Sequence, residues 1–516
     1  MASTLAASCS TDTTDSHPAK ETATPHLSQL AIPDMRMWPR FEPSVFDYVV
    51  ECGSSAVVHP RATAPSRFAV SAPSSQTIRP GGRLVLSVAD RQGVLEPVEY
   101  SLRCLPRDFP DITAHGRGSS YVFVSLPARS SDASFEALLS PSGVPVWYRR
   151  VAGSPPLVLP VSTTPLRFLE MTVPDREFGP FSVIGARNVV LRDENGDALR
   201  EWKLPTDAAI DHHDIALLEN GNLLAIAYER SNPPPGMDSA PFALAHPVFG
   251  QTCANGPFDP ASDHFMDSRV LEITPSGQVA RTLSLGEKLG ATGISFPVRF
   301  NTPGSSGRCA FDAYHANALD VLDDHLLVTG LAMDGAALFD LETLDLRARI
   351  GGRPGERSLA LEGDPLGGPA RPHDGRLSYG PTGTLRVSFF DNRIGFPANA
   401  SRFVSFIVDL KERTATLSSS STSSCEALPC TSSWGGSARL TASGGVLLGL
   451  GSRSTPALEE YDAAGHVVLS IAMPASYRAL PVPTPGDIPS LRSASDDVPD
   501  APLSGSCNRD YFGVCT

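Results

Sequence analysis

From about residue 140 onward the chain alternates two apolar–polar patterns. In one, a polar turn leads into a single apolar strand: SPSGVPVWY, DENGDALREWKL, TPSGQVARTLSL, LETLDLRARI and DAAGHVVLSI. In the other, two apolar strands flank a tight polar turn: IALLENGNLLAIAY, ALDVLDDHLLVTGL, RLSYGPTGTLRVSFF and ARLTASGGVLLGLG. The Asn-Gly, Thr-Gly and Ser-Gly tips suit hairpins, because these residues take positive φ at low steric cost. Helical periodicity is nearly absent. Strand units recurring in this way predict an all-β chain built as a β-propeller over 140–475, in which radial repetition leaves only short, protected edges.

The flanks follow other patterns. Residues 1–44 are polar and low in apolar content, which predicts a disordered or signal-derived tail. Short apolar bursts such as RLVLSVAD, VEYSLRCL and SYVFVSL, separated by turn residues, predict a β-sandwich-like module over 45–135. A Pro/Gly-rich insertion at 231–310, in two stretches (231–268 and 285–310), exceeds what one repeat needs. It is expected to cover the mouth of the propeller as a lid. Residues 478–516 read as an extended C-terminal tail.

Histidines recur at one place in these repeats. IDHHDIALLENGNLLAIAYE, FDAYHANALDVLDDHLLVTG and RPHDGRLSYGPTGTLRVSFFDN each set a His ahead of a first apolar strand. His315 and His373 stand 58 positions apart, close to one four-stranded unit with its loops. Equivalent positions in a ring converge, so His213, His315 and His373 are expected in one pocket on the axis, with His373 the most open to ligand. His212 is expected to point away, since adjacent strand residues face opposite sides. Each His is followed by a hydrogen-bonding group (Asp214, Asn317, Asp374) suited to fixing imidazole tautomers for nucleophilic or acid–base work. A metal site is the alternative use of three imidazoles.

Composition narrows the choices. The net charge of −14, with only 19% charged residues and no basic block, makes nucleic acid a poor partner. No apolar run approaches the roughly 18 residues needed to span a bilayer. The chain has only four Trp, too few for the Trp-rich repeat of quinone-dependent dehydrogenase propellers. No P-loop or dinucleotide-binding glycine pattern is present, and no cofactor is expected. Nine cysteines pair by proximity as Cys52–Cys104, Cys253–Cys309, Cys425–Cys430 and Cys507–Cys515, which points to disulfides in an exported protein. Cys9 is left over in LAASC, which reads like the end of a lipoprotein signal; the expectation is a secreted, periplasmic or lipid-anchored protein. The alternative for this stretch is an ordinary disordered tail.

Taken together, HDIALLENGNLL (213–224), YHANALDVLDDHLLVTG (314–330), PHDGRLSYGPTGTLRVSFFDN (372–392), WGGSARLTASGGVLLGLG (434–451) and YSLRCLPRDFPDI (100–112) resemble the bacterial-type, PAPS-independent arylsulfotransferases. The resemblance covers roughly residues 85–470. It implies a six-bladed propeller with an N-terminal β-domain. It also implies transfer of a sulfuryl group from a phenolic sulfate ester to a phenol through a sulfohistidine on His373. His213, His315 and Asn317 match the positions that hold the sulfate oxygens and assist the leaving group. The family's sulfate-clamping Arg is not matched: its position falls near Leu331, in VTGLAMDG. Arg371, Arg376 and Arg393, which flank the His373 strand pair, are the candidate substitutes, with Asp214 and Asp374 also counted among the substrate-binding residues. Two other readings stay open: a lyase, cyclase or metal-dependent oxidase on the same histidine-lined propeller, or a non-catalytic binding propeller.

Overall fold

The computed structural model describes residues 24–33, 35–129, 133–163, 165–171, 188–205, 208–234, 264–295, 298–301, 309–395, 400–423 and 431–482. Among them the regular structure is almost entirely β. The one α-helix there is the single turn Leu285–Leu289, and no helix is long and apolar enough to cross a membrane.

Six strands organise the larger part of the molecule, here β1 (Leu157–Thr163), β2 (Ala209–Leu217), β3 (Ala316–Leu322), β4 (His373–Tyr379), β5 (Ser437–Leu440) and β6 (Ala479–Val482). Each of β1 to β5 opens an antiparallel four-strand meander. The strand β6 instead pairs with Tyr121–Pro127, so a C-terminal strand completes a sheet whose other three strands lie at 121–152. Each of the six touches the next in order, and β6 touches β1. Strands from opposite ends of the domain thus share one sheet.

The turns follow the sequence pattern. Gly221 at φ 84° donates its N–H to the Leu218 carbonyl and closes the hairpin after β2. At Thr382-Gly383, the tip of the β4 hairpin, both residues take positive φ (64° and 75°). Burial between the sheets is apolar and aromatic, with Phe265, Phe311, Tyr314 and Phe339 in one cluster and Phe389, Phe406 and Val387 in the next.

A separate five-stranded sheet precedes these: Met37–Trp38, Asp47–Glu51, Val98–Leu105, Arg83–Asp90 and Phe68–Ser71. Arg83–Asp90 alternates half-buried and buried residues without a break, as RLVLSVAD leads one to expect of a strand with one face on a core. Tyr48, Tyr100, Leu84, Leu86 and Leu102 fill that core, and Cys52–Cys104 is bonded across it, with Cα atoms 5.6 Å apart.

The expected lid is replaced in part by core. Residues 285–295 form the short helix, capped by Ser284, and a following turn; Leu285, Leu289 and Ile294 are buried against Tyr314. Most of the remaining lid stretch lies outside the described residues. So do Cys9, the Cys425–Cys430 and Cys507–Cys515 pairs, and any Cys253–Cys309 bond.

Candidate active site

Three of the six strands have a break in pairing near their start, and a histidine lies in or beside each break. In β2 the register jumps between Ile210 and Ile215, so Asp211, His212, His213 and Asp214 leave the ladder together. In β3 it shifts between Ala316 and Ala318, just after His315. In β4 it shifts between His373 and Arg376, across Asp374. Such bulges re-aim side chains and concentrate near active sites. His315 (φ 47°) and Asp374 (φ 51°) take left-handed backbone that non-glycine residues seldom adopt.

The bulge in β2 overturns one expectation. His212 does not point away from His213: the two rings stack at 4.8 Å with 29° between planes. Strand alternation does not apply where the ladder is interrupted.

The convergence itself is observed. The His213 ring packs edge-on to His315 at 5.2 Å. Tyr477 lies among them, with its ring 5.7 Å from His213, 6.4 Å from His373 and 6.5 Å from His212. Trp434 stacks on the same Tyr477 at 6.5 Å. His373 is not the most open of the set: it is 3% exposed, against 7% for His315, and His212 and His213 are only half-buried.

Each imidazole is held through Nδ1. His213 Nδ1 lies 2.6 and 2.7 Å from the two Asp211 oxygens, and His315 Nδ1 lies 2.5 Å from Asp312 Oδ2. Asp312 also accepts the His315 backbone N–H (3.0 Å). His373 Nδ1 lies 2.8 Å from Asn392 Oδ1. The Asn392 amide is oriented by its Nδ2, which donates to the Ser432 and Gly435 carbonyls. Its oxygen therefore faces His373 and can only accept, so Nδ1 of His373 carries the proton and Nε2 keeps the lone pair.

Charge separates the three rings. Burial, and then the nearby His213, hold the His373 pKa well below 6.5, so the ring is neutral. Burial, with His213 adding to it, pulls His212 down to about 4. Burial pulls on His315 in the same direction, but the charge and hydrogen bond of Asp312 outweigh it and raise its pKa above 6.5. Within one cluster, then, His373 is held neutral while His315 more readily carries charge.

Below the rings lies a buried ion network. Asp214 accepts from Arg376 Nη2 (2.8 Å) and pairs with Arg478 (2.8 Å). Asp374 accepts from Arg376 (2.8 and 3.0 Å) and Arg439 (2.7 and 2.8 Å). Neither carboxylate makes a hydrogen bond to an imidazole, contrary to the expectation that they fix tautomers. That task belongs to Asp211, Asp312 and Asn392. Of the candidate arginines, Arg376 is spent on Asp214 and Asp374, and Arg393 donates to Asp391 and the Gly368 carbonyl. Arg371 donates its backbone N–H to Asp334 (2.8 Å), and its side chain lies close against Gly395. Asn317 donates through Nδ2 to the Pro372 carbonyl (2.9 Å). The Leu331 region is apolar, packed with Val298, Ala332 and Ile394.

Reasoning from sequence missed Tyr477 and Arg478. They precede β6, far from any histidine repeat, and no local pattern marks them. The guanidinium of Arg478 sits 5.4 Å over the Tyr477 ring. Asp211 and Asp312, by contrast, stand two and three residues ahead of the histidines they hold. Asn392 closes the quoted FFDN stretch.

No curated protein matches the chain. Solved structures resemble it weakly. A functionally unknown protein from Desulfotomaculum acetoxidans DSM 771 aligns at 9% identity over 69% of this chain and 100% of its own, with a TM-score of 0.33. A putative 6-phosphogluconolactonase from Bacteroides fragilis NCTC 9343 aligns at 10% identity over 81% and 97%, with a TM-score of 0.32. The Dos1 propeller aligns at 12% identity over 69% and 73%, with a TM-score of 0.26. A family model for arylsulfotransferase (ASST) matches residues 247–474, a span that holds His315, His373 and Asn392, and this match supports membership of the chain in the arylsulfotransferase family.

Proposed function

We propose that this protein is a sulfuryl transferase on a six-bladed propeller frame, using His373 as its nucleophile. The donor is an aryl sulfate ester and the acceptor a phenol. Nε2 of His373 attacks the ester sulfur, an N–S bond forms, and the S–O bond to the aryl group breaks. The leaving phenolate takes a proton from the Nε2–H of His315. An acceptor phenol then returns its proton to His315 as its oxygen attacks sulfur and the N–S bond breaks. A neutral imidazole is a good nucleophile and its adduct a good leaving group, so one hard transfer becomes two easier ones. Charge spreads over the sulfuryl oxygens in flight, and donors fixed in advance by Asp211 and Asp312 lower its energy.

The observation that carries this reading is the His373–Asn392 pair: a buried, neutral imidazole with its tautomer set. The test is incubation with a chromogenic aryl sulfate, followed by mass analysis of tryptic peptides. An increment of one SO3 on the His373 peptide, absent in His373→Ala, supports the reading; turnover by His373→Ala at the wild-type rate ends it. The neighbours of Leu331 and the pairing of Arg376 and Arg393 with carboxylates favour one second reading, a different group transfer or elimination on the same frame. Failure to turn over any aryl sulfate while other esters react would select it. We take the protein to be exported, on the strength of the Cys52–Cys104 bond.

A further inference from the structure

Two aromatic side chains of the cluster have no role in the transfer steps above. Trp434 and Tyr477 stack with 12° between planes and 6.5 Å between ring centres. Tyr477 stands nearly perpendicular to His213 (74°) and His373 (76°). Trp434, Tyr477, His212 and His213 are half-buried, whereas His315 and His373 are covered. The accessible part of the cluster is thus a set of rings lying beside His373. Trp147 and Trp202 differ: both are fully buried, and each spends its indole N–H on a backbone carbonyl.

The place of the two rings is fixed relative to His373. Trp434 lies just ahead of β5 and Tyr477 just ahead of β6. The Gly436 N–H donates to the Tyr477 carbonyl (2.9 Å), which ties the two segments together. Gly435 leaves room for the ring: a Cβ there would stand 2.8 Å from a Tyr477 ring carbon, and its φ of 55° suits glycine. The Gly435 carbonyl also accepts from Asn392 Nδ2 (2.9 Å), whose Oδ1 holds His373. One loop therefore positions both the aromatic pair and the imidazole. The Arg478 guanidinium, 5.4 Å over the Tyr477 ring, steadies it further.

We propose that Trp434 and Tyr477 are the residues that select an aromatic substrate. The ring of the donor ester, and afterwards that of the acceptor phenol, packs on them while the sulfuryl group lies at His373. Aromatic rings pair in offset or edge-to-face contacts with centres about 4.5–7 Å apart, and burying their large flat surface adds to the gain. The histidines meet only the sulfuryl oxygens and the ester oxygen, which an alkyl sulfate offers equally. Discrimination between the two therefore falls to the aromatic pair. The choice of ligand rests on the transferase reading; the preference for an arene needs no transfer to be observed.

The experiment measures binding of p-toluenesulfonate and of methanesulfonate to the full chain by calorimetry, with tryptophan emission recorded in parallel. Both anions carry a carbon–sulfur bond in place of the ester oxygen, so neither can pass on its sulfuryl group. The wild type should bind the aryl anion at least about 10-fold more tightly than the alkyl one, with a change in emission from Trp434. Trp434→Leu and Tyr477→Leu should each cut that preference several-fold while binding methanesulfonate as the wild type does. Trp434→Phe should keep the preference and lose the emission change, and Tyr477→Phe should keep both, because a ring remains in each. His373→Ala should keep the preference while forming no sulfuryl adduct. Thermal melts of each variant check folding. No binding of p-toluenesulfonate by the wild type, or an unchanged preference in both leucine variants, overturns the proposal, and a sulfuryl adduct on His373 would then leave the transferase standing. A preference that depends on both rings, in a protein that forms no adduct from any aryl sulfate, supports the aryl subsite and ends the transferase reading.

Discussion

The Nδ1 atom of His373 and the Oδ1 atom of Asn392 lie 2.8 Å apart, and the amide nitrogen of Asn392 is spent on the Ser432 and Gly435 carbonyls. The loop at 432–435 thereby dictates which nitrogen of His373 keeps its lone pair. Replacing the acceptor with an apolar group releases the tautomer and the ring angle. Asn392→Leu is expected to lower kcat by about 10- to 100-fold, the usual cost of losing such support. Asn392→Asp is the sharper variant. A carboxylate at this place raises the His373 pKa, so activity should acquire an acid limb near neutral pH that the wild type lacks. A pH–rate profile unchanged in Asn392→Asp would show that the contact has no part in setting the nucleophile.

A second prediction concerns the acid. Asp312 lifts the His315 pKa above 6.5 against the pull of burial. If His315 is the proton donor of the proposed transfer, it works below its pKa and fails above it, so kcat/KM should fall on the alkaline side. Asp312→Asn removes the lifting charge, and the alkaline limb should move to lower pH. Donors with poor leaving groups should be affected most, because they need the proton most. Measurement of kcat/KM across the pH range for two aryl sulfates of different leaving-group acidity checks this.

The network under the rings supports a third. Arg376 is buried and bonded to Asp214, to Asp374 and to the Leu319 carbonyl, and so it joins β2, β3 and β4. Removing one partner of a buried ion set leaves uncompensated charge. Arg376→Met should destabilise the protein by about 3–5 kcal/mol, read from denaturant melts. The double change to Arg376→Met and Asp214→Asn should recover part of that loss, because one positive and one negative charge are then removed together. A destabilisation under about 1 kcal/mol in the single variant would mean the network does not hold the inner strands together.

The all-β frame was legible because its signal is local. Alternation in RLVLSVAD and glycine-tipped hairpins such as ENGN are set by neighbours two to four residues away. The three histidines were legible because repetition places equivalent residues at equivalent places. What the sequence hid depends on departures from that regularity. His212 faces inward only because the pairing of β2 breaks between Ile210 and Ile215, and no pattern of apolar residues announces a break of that length. Tyr477 and Arg478 enter because a strand from the far end of the chain joins the sheet at 121–152. Asp214 and Asp374 looked like partners of the histidines because they adjoin them in sequence. In space, the bulges turn them toward the arginines.

The histidines also tie stability to pH, and here the sign is informative. His373 and His212 have folded-state pKa values lowered from 6.5, His212 to about 4, with burial the first cause of both. In the unfolded chain both rings take up protons near pH 6.5, whereas in the folded chain they resist. The unfolded state therefore gains protons first on acidification, and the stability these rings permit is complete above about 6.5 and is lost as pH falls from there toward about 4. His315 acts in the opposite sense. Its folded pKa is raised, so its contribution is full below 6.5 and is lost as pH rises through the folded value. Two rings against one predict a net decline in melting temperature between pH 6.5 and about 4, steeper than carboxylate protonation alone would give. His212→Asn removes one of the resisting groups without touching the Nδ1 contacts of His213 or His315, and it should flatten the decline while leaving the melting temperature near pH 8 little changed. A decline of equal slope in wild type and His212→Asn would show that this ring takes up its proton in the folded protein as readily as in the unfolded chain.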